Sequence, residues 1–114
     1  MPLVHVSCSA NVNTSLKLSL SQALPWIVAR HLNQPDHPVF ALTPSDVEVR
    51  FDESPYSLRH HDVEIVITAL KSEERIKTGK LRTDDIATEV QARLPKGMTG
   101  FVWTTLVDGF FTSF

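Results

Sequence analysis

The chain has 114 residues, 42% of them apolar and 21% charged, with a formal net charge of −2. That size suits one domain spanning residues 1–114, and the balance is that of an ordinary globular chain. It lacks the dense Lys/Arg run of a nucleic-acid or anionic-membrane binder. It also lacks the roughly 20-residue apolar stretch of a membrane span, and its single cysteine, Cys8, rules out an intrachain disulfide or a cysteine-based metal centre.

The first element is a strand over Leu3–Cys8, read from the alternation in "LVHVSC". Pro2 stands before it, where a missing N–H costs no ladder bond. If Met1 is removed, Pro2 is also a free secondary amine on a rigid ring, able to act as a base. A helix over Ser15–Leu32 follows. Thr14 or Ser15 is its expected cap, and Leu16, Leu20, Ala23, Leu24, Ile27 and Val28 recur at helical spacing. Pro25 lies inside this pattern and should kink or divide the helix. His31, near its end, places a cation where the helix dipole favours one. The Pro- and Asp-rich stretch "NQPDHPVFALTPSD" reads as loop.

"DVEVRF" then alternates, with Val47, Val49 and Phe51 on one face and Glu48 and Arg50 on the other. "DVEIVITAL" is the clearest strand, apolar enough on both sides to be covered on both. "KSEERIKTGKLR" shows neither period. A second helix is expected from a cap at Thr83, with Ile86, Val90 and Leu94 as its stripe and Pro95 as its stop. "MTGFVWTTLV" supplies a fourth strand, and Asp108-Gly109 turns the chain into the tail "FFTSF".

The order strand–helix–strand occurs twice, near residues 2–53 and 62–107. The expected fold class is therefore α+β: two βαβ units forming a four-stranded sheet with two helices on one face. His60 and His61 suggest a metal site, but neighbours on an extended chain point to opposite faces and no ligand spacing is readable, so no metal is expected. Cys8 is expected to pack as a small hydrophobe. Trp103, Phe110, Phe111 and Phe114 together would make a large apolar patch, which points to burial against a partner chain. The N-terminus has no basic and apolar leader, so a cytoplasmic setting is expected.

"MPLVHV" followed by a helix, two βαβ halves in this length, and "HHDVEIVITALKSEER" together resemble the tautomerase superfamily. The last segment looks most like its 5-carboxymethyl-2-hydroxymuconate isomerase branch. The superfamily also includes 4-oxalocrotonate tautomerase and macrophage migration inhibitory factor. The resemblance implies a homotrimer and cofactor-free isomerisation of a small 2-oxo or enol acid, with the proline amine as general base. Carried over residue by residue, Pro2 is the base. Arg50 and Arg75 are the arginines that hold a carboxylate and stabilise enolate charge, with Arg82 as a substitute for Arg75. Trp103 and Phe111 wall the pocket. The arginine at the first helix's start in the oxalocrotonate type has no equivalent in "ANVNTSLK". A surface pair with Glu48 or Glu64 competes as the explanation of Arg50, and one with Glu73 or Glu74 as that of Arg75. Two rival readings remain: a non-catalytic assembly protein of this fold, and an unrelated ferredoxin-like binding module.

Overall fold

The computed structural model describes residues 2–37, 39–52, 61–110, 112 and 114. In chain order the elements are β1 (Leu3–Cys8), α1 (Thr14–Leu32), a 3-10 turn (Pro44–Asp46), β2 (Glu48–Asp52), β3 (Val63–Leu70), α2 (Glu73–Gln91) and β4 (Gly100–Val107). The strands form one sheet in the order β2-β1-β3-β4. β1 is parallel to β2 and antiparallel to β3, and β3 is parallel to β4. Each parallel pair is joined through a helix, as a parallel crossover requires. The two βαβ units of the sequence are therefore present.

Strand alternation divides the sheet into a closed and an open face. Val4, Val6, Ile65, Ile67 and Ala69 point to the closed face and are buried with Leu20, Leu24, Ile27, Val28 and Leu32 of α1 and Ile86 and Val90 of α2. Their alternating partners form the open face. There Glu64, Val66, Thr68 and Leu70 of β3 are only half-buried, so within one chain β3 is covered on a single side.

α1 begins one residue earlier than expected. Its cap is Asn13, whose Oδ1 accepts from the Leu16 N–H at 2.8 Å. The helix continues through Pro25 as one element.

α2 corrects the sequence reading more deeply. Its cap is Ser72, whose Oγ accepts from the Arg75 N–H at 3.1 Å. Thr83 is mid-helix, and its hydroxyl bonds the Gly79 carbonyl and Thr104 Oγ1 instead. "EERIKTGKLR" is thus helical throughout. Ser72 followed by Glu73 and Glu74 satisfies the first N–H groups and the helix dipole better than Thr83 can. An apolar stripe is missing there because Ile76 and Leu81 face solvent and the buried residue of that half is Arg75. α2 ends at Gln91, before Pro95, and Gly97 takes a positive φ of 89° in the turn that leads to β4.

Candidate active site

Pro2 opens the sheet. Its carbonyl accepts from the Glu48 N–H at 3.1 Å, which ties it to the start of β2. Its ring is fully buried, on the closed side with Val4 and Val6. Because β1 and β3 are antiparallel, β3 ends beside Pro2: Leu3 pairs with Thr68, and Leu70 lies two residues further on.

Arg75 is anchored at this same end of the sheet. Its NH1 donates to the Leu70 carbonyl at 2.8 Å, and its Nε and NH2 donate to the Leu32 carbonyl at 3.3 and 2.9 Å. The guanidinium stands 4.8 Å over the Phe40 ring. Arg75 is 2% exposed, so it is not the surface partner of Glu73 or Glu74 that the sequence also allowed. Burial pushes its pKa below the ordinary arginine value, with nearby Arg82 acting in the same direction.

The surface role falls to Arg82. Its NH2 meets Glu74 Oε1 at 2.9 Å while its NH1 donates to the His31 and Asn33 carbonyls at 2.8 and 3.2 Å. Two arginines of α2 thus cap the C-terminal carbonyls of α1, groups left without intrahelical partners. His31 itself bonds through Nε2 to Glu89, with Arg30 on the other oxygen of that carboxylate. Gln34 joins the two helices as well, accepting from Ser72 Oγ at 2.6 Å and donating to Glu74 at 2.8 Å. Sequence reasoning missed Gln34; a polar residue two places after a helix end is the faint signal it left.

Arg50 lies elsewhere. It is exposed on β2, with Nε and NH2 each 3.0 Å from Glu48 Oε1. It pairs in register with His5, which pairs with Val66, which pairs with Trp103. Arg50, His5, Val66 and Trp103 therefore form one row across the open face. Three strand spacings, about 14 Å, separate its two ends. Trp103 is 64% exposed, and its indole N–H donates to Thr105 Oγ1 at 3.1 Å.

Among the described residues, then, Pro2 and Arg75 share one end of the sheet while Arg50 and Trp103 share its open face. Arg75 and Trp103 also border one groove of about 580 Å³ between α2 and β4, together with Lys80, Thr83 and Leu106. Phe111 lies outside the described residues. No group of three or more His, Cys, Asp or Glu gathers among the described residues, and none of their helices is long and apolar enough to cross a membrane.

No family model matches this chain, and no curated protein does. Solved structures do. A macrophage migration inhibitory factor-like protein from Entamoeba histolytica is similar at a TM-score of 0.63, with 12% identity over 95% of this chain and 90% of that one. A fused 4-OT, described as a symmetric trimer, is similar at 0.62, with 14% identity over 93% and 85%. The chain has the tautomerase-superfamily fold. N1, a member of the cis-3-chloroacrylic acid dehalogenase family, is also similar at 0.61, with 16% identity over 94% and 76%. Proteins of different description thus share this architecture, and at such identities the likeness speaks for the fold alone.

Proposed function

We propose that the protein is a cofactor-free tautomerase or isomerase of small 2-oxo or enol acids, with Pro2 as general base once Met1 is removed. The observation that carries this reading is the burial of the Pro2 ring at the end of the sheet. An amine on a buried ring is disfavoured in its charged form, so its pKa falls and a neutral, proton-accepting fraction is present near pH 7. A base is most effective when its pKa lies near the working pH. Pro2 takes a proton from the acid's carbon or enol oxygen and returns it at the conjugated position.

Enolate charge needs fixed positive charge nearby. Arg75 supplies it at Pro2's own end of the sheet. Three of its five N–H groups are committed to the Leu32 and Leu70 carbonyls, so it acts as a held cation with two donors left. Arg50 binds the substrate carboxylate. It lies on the open face of its own chain, so in this reading it serves the Pro2 of a neighbouring copy, with Trp103 and Phe111 as pocket walls. A homotrimer provides that arrangement. Exposed Trp103, Phe101 and Phe110 favour such an assembly, as does the position of β2 and β4 as the outer strands of the sheet.

The second reading is a non-catalytic assembly protein. One observation favours it: Arg50 is occupied by Glu48. One experiment separates the two. Untagged protein is weighed intact, and ketonisation of an enol acid such as phenylenolpyruvate is followed for the wild type, Pro2→Ala and Arg50→Ala, each after its oligomeric state is confirmed. Catalysis predicts a mass lacking methionine. It predicts a rate lowered by roughly 10²-fold in Pro2→Ala and a raised KM in Arg50→Ala. Retained methionine, or equal rates in the wild type and Pro2→Ala, favours the assembly protein.

A further inference from the structure

One buried side chain meets three of the groups that hold Arg75 in place. Gln34 follows α1 and is 8% exposed, where a side-chain amide needs partners at both its oxygen and its nitrogen. It has both. Its Oε1 accepts from Ser72 Oγ at 2.6 Å, and its Nε2 donates to Glu74 Oε2 at 2.8 Å. Its main-chain N–H donates to the Phe40 carbonyl at 3.0 Å.

Each bond leads to Arg75 by a different route. Ser72 Oγ accepts from the Arg75 N–H at 3.1 Å as the cap of α2. A serine hydroxyl rotates freely and has a single proton. Donating that proton to Gln34 turns a lone pair toward the helix N–H, so the first turn of α2 is set from the end of α1. Glu74 uses its other oxygen on Arg82 NH2, at 2.9 Å. Arg82 is the like charge that bears on Arg75, and the Gln34–Glu74 bond fixes the carboxylate that balances it. Phe40 is the ring beneath the Arg75 guanidinium, 4.8 Å away.

A plain tie between α1 and α2 would need none of this. The Arg30–Glu89 pair joins the same two helices from the surface, with the Arg30 side chain 59% exposed. Gln34 differs in being buried and in having each of its three bonds end on a group that touches or faces Arg75.

We infer that Gln34 is a positioning residue for Arg75, holding its guanidinium at Pro2's end of the sheet through Ser72, Glu74 and Phe40. Its consequence for catalysis rests on the tautomerase reading. A cation that stabilises enolate charge must be fixed before that charge develops. Gln34 acts through Arg75 and is assigned no contact with substrate.

The test joins a spectroscopic signal to kinetics in the full, untagged chain. The Arg75 Nε–H resonance is identified by its loss in Arg75→Lys, and its exchange with solvent is measured by NMR. Gln34→Ala should speed that exchange about ten-fold, the worth of one good hydrogen bond. A group misplaced by about 1 Å can lose about 100-fold in rate. With an enol acid, kcat should therefore fall at least about ten-fold while KM stays nearly constant, because enolate stabilisation is felt only in the transition state. The double variant Gln34→Glu/Glu74→Gln exchanges donor and acceptor. The new carboxylate accepts from Ser72 and from the new amide, whose oxygen accepts from Arg82. It should restore both the slow exchange and kcat, whereas Gln34→Glu alone, with two carboxylates face to face, should restore neither. If Gln34→Ala does not fold, Gln34→Met keeps the volume without the side-chain bonds and is read in the same way. Unchanged Arg75 exchange in a folded Gln34 variant overturns the proposal, as does a double variant no better than Gln34→Glu. Faster exchange with wild-type kcat overturns its link to the reaction. A wild type inactive on enol acids fails the tautomerase reading instead, and the exchange measurement then decides the positioning by itself.

Discussion

The two ends of the sheet are fastened by opposite means. At the Pro2 end, cations of α2 donate to main-chain carbonyls: Arg75 to Leu32 and Leu70, Arg82 to His31 and Asn33. At the other end a carboxylate, Asp62, accepts from Ser9, Asn11 and Thr99. The first fastening is partly buried and the second faces water. A buried cation is held through the cost of leaving its partners unpaired, which salt and pH barely reach. An exposed carboxylate holds only while it is ionised. Chemical rigidity should therefore concentrate where the base is proposed, and the Asp62 end should answer to pH.

The largest break is expected at Arg75. Arg75→Ala strands the Leu32 and Leu70 carbonyls and empties space over Phe40, so it should cost about 3 kcal/mol in urea unfolding. Arg75→Lys should recover only part, because one ammonium cannot reproduce the fork that meets both carbonyls. A loss under about 1 kcal/mol in Arg75→Ala would mean that the end is held by something else.

At the opposite end, Gly100→Ala brings a methyl group against the Val63 carbonyl. Main chain cannot yield as a flexible side chain does, so about 2 kcal/mol of destabilisation is expected. Wild-type unfolding behaviour in this variant would show that β4 can move away from β3 at no cost.

The smallest effect is the pH response. The Asp62 carboxyl is held below its ordinary value of 3.8, first by the Asn11 amide, then by the Thr99 N–H and Ser9 Oγ. A carboxyl depressed in the folded state binds fewer protons there than in the unfolded chain. Its stabilisation is therefore complete above the ordinary value and fades as the pH falls through and below it. Asp62→Asn should flatten the fall of the unfolding midpoint between roughly pH 5 and 2. Some slope should survive, since the Asp46 and Glu89 carboxyls are held low as well, by Thr43 and by His31. An unaltered slope in Asp62→Asn would assign the acid response to those two groups.

The comparison also separates what could be read in the sequence from what could not. β1 and β3 declare themselves because their buried faces alternate, as in Val63, Ile65, Ile67 and Ala69. α1 declares itself through Leu20, Leu24, Ile27 and Val28. The first half of α2 does not, since Ile76 and Leu81 point to water and its buried residue is an arginine. The role of Arg75 is hidden for a related reason. Its partner Leu32 stands 43 residues away, and no local pattern announces a carbonyl exposed by the end of another helix. Likewise Arg50 and Trp103 acquire a shared row only once β1 and β3 are placed between their strands.

The most direct test of the proposed chemistry is the titration of the Pro2 amine itself, followed by 15N NMR on Pro2-labelled wild-type protein, folded and again in urea. Burial of the ring disfavours the ammonium form, and an arginine held at the same end of the sheet acts in the same direction. The folded midpoint should therefore lie below the unfolded one. A folded midpoint at or above the unfolded one, or a Pro2 nitrogen that never titrates because methionine still precedes it, would contradict the account.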